Sequence, residues 1–127
     1  MDYSRQEIFI GKKAQAQIQK AKVAIIGLGA LGTVASELLI RSGIKKITLV
    51  DRDIIESSNL QRQTLFETSD VNKPKAIQAE KRLKAINPET IIQSHFIHLD
   101  HENINEIKAD IMLDCTDNIE TRFLLNY

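Results

Sequence analysis

The sequence predicts an α/β fold, a parallel sheet with helices on both faces. Three observations predict it. Short, continuous apolar runs alternate with helix-period segments, the order that builds parallel sheets. The first run ends in Gly27-Leu28-Gly29-Ala30-Leu31-Gly32, a G-x-G-x-x-G hexapeptide between a strand and a helix. The second run ends in an acidic residue, Asp51, roughly 20 residues beyond that hexapeptide, as nucleotide-binding sheets of this kind require. The expectation is therefore Rossmann-like.

The elements follow in order. Ser4 is read as the N-cap of a short helix to Phe9, with Glu7 completing a capping box. A second helix is expected from Lys12 to Lys20. Together residues 1–21 read as a helical arm, and residues 22–127 as one Rossmann-like half. Val23–Ile26 is a strand buried on both faces, followed by a helix from Ala30 to Ser42 that stops at Gly43. Ile47–Val50 is the second strand. Residues 54–71 are polar and irregular, and loops of that length are commonly functional. Pro74 opens a helix with Ala76, Ala79, Leu83 and Ile86 on one stripe, and Asn87-Pro88 ends it. Residues 90–97 read as a third strand, Ile104 and Ile107 as a short helix, and Ile111–Leu113 as a fourth strand. Asp117 with Glu120 reads as the cap of a last helix carrying Phe123, Leu124 and Leu125. Four strands are half of a doubly wound sheet, so the chain is expected to be an incomplete family domain.

Composition narrows the function. The chain has 127 residues, enough for one domain. Seventeen basic and seventeen acidic residues cancel, so no bulk field favours nucleic acid or a membrane surface as partner. No stretch approaches a membrane span and no signal-peptide core is visible, so the cytoplasm is the expected location. Cys115 is the single cysteine, which rules out an intrachain disulfide and a four-cysteine zinc site within these residues.

The hexapeptide and Asp51 imply a nucleotide with a ribose. Gly27 allows the tight turn, Gly29 lets backbone approach a phosphate, and Gly32 lets the helix pack on the strand, with the helix N-terminus favouring the anion. These features suit NAD and ATP alike. The segment Ser58-Asn59-Leu60-Gln61-Arg62-Gln63, followed by Lys73-Pro74-Lys75, favours a triphosphate. Arg62 offers a planar fork of donors to phosphate oxygens. Lys75 supplies a point charge from the first turn of its helix, and Asn59 and Gln61 donate without adding charge. Asp117 follows the fourth strand at the edge where ligands bind, and a carboxylate there suits magnesium, or else a plain helix cap.

Taken together, Gly27 to Gly32, Asp51-x-Asp53, Ser58 to Gln63, Lys73 to Lys75 and Asp114-Cys115-Thr116-Asp117-Asn118 resemble the MoeB/ThiF/HesA family, bacterial and archaeal relatives of the ubiquitin-activating enzymes. The Tyr3-Ser4-Arg5-Gln6 opening is similar to the family's N-terminal arm. Where many members have a third glycine, this chain has Ala30, which keeps the backbone N–H. The resemblance implies an adenylyltransferase that uses ATP and Mg2+ to activate the C-terminal carboxylate of a small ubiquitin-like sulfur-carrier protein. It implies that Asp51 holds the ribose, that Asn59, Arg62 and Lys75 hold the phosphates, and that Asp117 governs the metal. It further implies that Asp53, Ser58, Leu60, Gln61 and Asn118 belong to the nucleotide site, and that Arg5 reaches a neighbouring subunit's ATP in a homodimer. Zinc-binding cysteines and any catalytic thiol are expected beyond these residues, and Cys115 reads as a buried core residue. An NAD-binding oxidoreductase half-domain and a truncated, non-catalytic ATP-binding member are the alternatives. Association is also expected because Phe123, Leu124 and Leu125 would be left uncovered.

Overall fold

The four apolar runs pair as parallel strands: β1 (Lys22–Ile26), β2 (Lys46–Asp51), β3 (Ile91–Phe96) and β4 (Ile111–Asp114), in the order β3-β2-β1-β4. A computed structural model describes residues 1–126. β1 shows why its sequence lacks polar alternation. Val23 and Ile25 enter one core, Ala24 and Ile26 the other, and all four are buried. The third strand is one residue shorter at each end than expected, because Thr90 N–H instead closes a turn on the Asn87 carbonyl.

On one face, Ile40 of α3 (Ala30–Ser42) and Ala76, Ala79 and Leu83 of α4 (Lys75–Ile86) pack on Val23, Ile25, Ile47, Leu49 and Ile92. The opposite face, formed by Ala24, Ile26 and Val50, is covered by Leu99 and Ile107 of the β3–β4 connection. Leu124 and Leu125 of α5 (Ile119–Leu125) pack on the same cluster. The apolar end of the chain is therefore less open than the sequence suggests: Phe123 remains 65 % exposed, while its two neighbours turn onto the sheet. Ile104–Glu106 is a single 3-10 turn. Among the described residues no helix is long and apolar enough to cross a membrane.

The arm is docked, not loose. α1 (Ser4–Ile10) and α2 (Lys12–Lys20) are fixed to the end of α3 by amides. Gln6 Nε2 donates to the Ser42 carbonyl and to Gln15 Oε1, each at 2.8 Å, and Gln15 Nε2 donates to the same carbonyl at 3.0 Å. Gln15 is 1 % exposed, so its burial is offset by filled hydrogen bonds. The Ser4–Glu7 capping box does not form. Tyr3 occupies the cap position without a side-chain bond, and the Ser4 N–H donates to Asp2 Oδ1 at 2.8 Å. Asp2 thus takes the N–H that Glu7 would accept in the box.

Residues 54–74 are ordered by three anchors. The base is closed by a bridge between Ile54 and Pro74, with Ile55 N–H on the Lys73 carbonyl. Ile55, Leu65 and Phe66 are buried in the core. Asp70, at 2 % exposure, accepts from both Nε and Nη2 of the Arg82 guanidinium at 2.9–3.2 Å, and Arg82 also pairs with Glu67. The loop contains 3-10 turns at Ser57–Asn59 and Thr68–Asp70, so the segment that carries the polar motif is a built element of the fold.

Candidate functional site

The sheet order turns at β1: the chain proceeds outward through β2 and β3, then returns to β4 on the other side. Ligands in open α/β sheets bind outside the carboxyl ends of strands at such a reversal. A cleft of about 420 Å³ lies there, lined by the ends of β1, β2 and β4 and by the loop of residues 54–74.

The glycine loop forms its floor. Gly27 has φ 97° and a Cβ there would lie 2.9 Å from the Cys115 carbonyl. Its N–H donates to the Val50 carbonyl at 2.8 Å. Leu28 is fully buried, an anchor worth about 1.5–3 kcal/mol. At Gly32 a Cβ would stand 1.8 Å from the Gly27 carbonyl oxygen, so the helix lies directly against the turn. No side chain caps α3 at Gly29, which leaves the first-turn N–H groups facing the cleft.

Asp51 fixes this loop as well as facing the cleft. Its Oδ2 accepts the Leu28 N–H and its Oδ1 the Asp53 N–H, both at 2.7 Å. Burial pushes its carboxyl above the usual carboxylate range, opposed by these two N–H groups and by the charge of Lys75. Lys75 arrives through the closed base of the loop, its N–H on the Asp53 carbonyl at 3.0 Å. The side chain is only 7 % exposed and lines the cleft. Among the described residues no carboxylate comes within 4.0 Å of its ammonium. A buried cation at a helix N-terminus is disfavoured on both counts, and an anion in the cleft relieves both.

Gly27, Gly29, Ala30, Asp51, Asp53, Asn59, Arg62, Lys75, Asp117 and Asn118 all border the cleft. Five expected residues do not. Gly32 lies behind the loop. Leu60 packs against the core. Ser58 contributes its carbonyl, which accepts from Arg62 Nη1 at 3.1 Å. Gln61 is exposed away from the cleft, and Arg5 is exposed on α1. Asn59 is buried, with Oδ1 accepting the Glu56 N–H, so its acceptor is committed to the turn.

Asp117 does not cap α5. Asn118 does, accepting the Thr121 N–H at 3.3 Å, because the helix begins one residue later than the Asp117–Glu120 pattern predicts. The Asp117 carboxylate is thus exposed at the cleft. Among the described residues no group of three or more His, Cys, Asp and Glu side chains forms a metal cluster. One free carboxylate suits magnesium, which takes few protein ligands and completes its shell with phosphates and water. Cys115 is half-buried at the cleft rather than fully buried. Burial and then Asp114 push its thiol up, which disfavours a nucleophile.

Several cleft residues escape the sequence reading. Arg52 Nη1 donates to His98 Nδ1 at 3.2 Å. Arg122 pairs with Asp114 at 3.5 Å and donates to the Thr116 carbonyl at 2.9 Å. Gln63 is buried beside Gly29. Gln63 lies within the polar motif, where sequence spacing alone does not say which glutamine turns inward. Arg122 follows the helix cap Asn118 by one turn, and that cap lies one residue beyond the Asp117 the sequence pattern points to.

Residues 3–127 match the profile of the ThiF family. The chain is 45 % identical to the sulfur carrier protein ThiS adenylyltransferase of Bacillus subtilis, over 98 % of this chain and 39 % of that protein. It is 38 % identical to the sulfur carrier protein adenylyltransferase of Thermus thermophilus, over 98 % of this chain and 47 % of that protein. Among solved structures, Escherichia coli MccB with ATP matches at TM-score 0.84 and 32 % identity, covering 92 % of this chain and 37 % of that one. The tRNA N6-threonylcarbamoyladenosine dehydratase TcdA of E. coli, in complex with ATP, matches at TM-score 0.86 and 27 % identity, covering 92 % and 49 %. The chain therefore spans about half the length, or less, of these relatives.

Proposed function

The chain belongs to the ThiF family, and from that membership we propose that it is the ATP-binding part of an adenylyltransferase acting on the C-terminal carboxylate of a small ubiquitin-like sulfur-carrier protein. The observation that carries the reading is Lys75, a buried cation in the cleft with no carboxylate at ion-pair distance among the described residues. A triphosphate meets that need. The two relatives named for sulfur carriers, at 45 % and 38 % identity, support the substrate class.

In this reading the ribose hydroxyls donate to Asp51. The phosphates lie against the Gly29 loop and the open N–H groups of α3, with Lys75 beneath and Arg62 from the loop side. Asp117 would hold magnesium, which supplies charge neutralisation on the phosphates. A carboxylate oxygen of the carrier attacks the α-phosphorus, the bond to the bridging oxygen breaks, and pyrophosphate leaves with both electrons. The product is a mixed carboxylic–phosphoric anhydride. The residues contribute positioning and charge stabilisation, and no protein nucleophile is required.

The test is ATP–pyrophosphate exchange by the full-length protein with its carrier, alongside titration with ATP–magnesium and with NAD. Tighter binding of NAD refutes the reading. Arg62→Ala removes one exposed charged donor, a loss of about 1.5–3 kcal/mol, or roughly 10- to 150-fold in exchange rate. Near-normal exchange takes Arg62 out of the mechanism. In the same assay Asp117→Asn raises the magnesium concentration needed for half-maximal rate; an unchanged magnesium titration removes Asp117 from metal binding.

Arg5 is proposed to act in the cleft of a second copy. Arg5, Ile8 and Phe9 share one face of α1 by helical spacing. Ile8 is 87 % and Phe9 91 % exposed, an uncovered apolar pair on an arm that is rigidly fixed. Phe9→Asp is expected to raise the dimer dissociation constant at least tenfold in sedimentation equilibrium. A protein that is monomeric at every concentration refutes the assembly and, with it, the role of Arg5.

A further inference from the structure

Among the described residues three buried side chains keep a polar atom without a partner, Gln63, Gln78 and Thr90, and of these Gln63 is the one at the cleft. It is 3 % exposed and lines the cleft. Its backbone is fully committed: the N–H donates to the Asn59 carbonyl at 2.9 Å, and the carbonyl accepts from Phe66 N–H at 3.2 Å. Its side-chain Oε1 is buried and has no hydrogen-bond partner among the described residues. Its Nε2 lies 3.7 Å from where a Cβ on Gly29 would stand. The amide's other end is the open one: Nε2 makes no hydrogen bond to the described residues and, unlike Oε1, is not enclosed, so its donor is left for something in the cleft.

Gly29 is the point where the glycine loop brings backbone to a phosphate in the proposed function. We propose that Gln63 is a further ligand of the phosphate chain: its carboxamide N–H donates to a phosphate oxygen seated against Gly29. The inference rests on the ATP reading and extends it. The chemistry suits the place. Lys75 and Arg62 already bring two positive charges to the site, and a neutral donor adds direction without a third. The amide terminus rotates about a broad, roughly two-fold torsion, so it adjusts to a ligand while the backbone stays fixed. Gln63 thereby senses the phosphates and not the nucleoside.

That distinction is the test. Full-length protein carrying Gln63→Glu or Gln63→Met is titrated with ATP–magnesium and with adenosine, and its melting temperature is recorded. Glu keeps the shape and sets a carboxylate against the phosphates; Met keeps the length and removes donor and acceptor. The expected result is ATP affinity at least tenfold weaker for Gln63→Glu and three- to tenfold weaker for Gln63→Met. Adenosine affinity should stay within twofold of the parent, and the melting temperature of Gln63→Met should be no lower. Parental ATP affinity in both variants overturns the inference, and so does a joint fall in ATP affinity, adenosine affinity and melting temperature, which marks a structural role. A parent that binds no ATP overturns the functional reading itself, a separate outcome.

Discussion

Lys75→Met should reduce ATP–pyrophosphate exchange on the order of 10³-fold while leaving the protein at least as stable as its parent. The two halves of that expectation have one cause. Lys75 is 7 % exposed and begins α4, with no carboxylate at ion-pair distance among the described residues. Its charge acts on Asp51, which lies beyond ion-pair distance and also accepts the Leu28 and Asp53 N–H groups. Without ligand the ammonium of this largely buried residue has no ion-pair partner and sits at the positive end of a helix dipole, so an apolar side chain of similar length relieves the fold. With a triphosphate bound, the same charge meets its partner in a site of low dielectric, where it is worth most. Exchange kinetics and thermal melting on one preparation test both. A variant that loses several degrees of melting temperature yet keeps its exchange rate would make Lys75 a structural residue and remove the main support for the triphosphate reading.

The sequence made the frame of this site legible because the frame is local. The glycine hexapeptide, the apolar runs of β1 and β2, and Asp51 at a strand end each follow from a short window, and the parallel register then brings them to one edge without further information. Direction was harder to read. Gln61 and Gln63 stand two apart in one irregular loop, and only the tertiary anchors of that loop decide which one turns inward: Ile55, Leu65 and Phe66 in the core and Asp70 on Arg82. At the ends of helices, several polar residues compete for one position. Tyr3 takes the cap position expected of Ser4, whose N–H goes to Asp2, and Asn118 takes the one expected of Asp117, which leaves that carboxylate to the cleft. The docked arm was invisible for a related reason. It is held by Gln6 and Gln15 on a single carbonyl at the end of α3, a long-range polar contact that leaves no periodic trace.

The glycine loop offers the sharpest separation of folding from binding, because two glycines three residues apart carry different duties. At Gly32 a Cβ would lie 1.8 Å from the Gly27 carbonyl oxygen and 2.8 Å from its carbon. Both are backbone atoms of a turn already fixed by Val50 and Asp51, so neither moves without opening the sheet edge. Gly32→Ala is therefore expected to cost about 3 kcal/mol or more, lowering the melting temperature on the order of 10 °C, and to abolish ATP binding as a consequence. At Gly29 a Cβ meets only the Gln63 amide nitrogen at 3.7 Å, an ordinary contact. Gly29→Ala should fold with a melting temperature within about two degrees of the parent, and the new methyl should stand where a phosphate approaches. Its ATP affinity is expected to fall roughly 10- to 100-fold, with adenosine binding little changed. Melting curves and paired titrations of the two variants decide the matter. If Gly29→Ala binds ATP as the parent does, the phosphates do not lie on this loop. If Gly32→Ala folds normally, the helix is free to withdraw from the turn, and the close approach is not what this glycine is for.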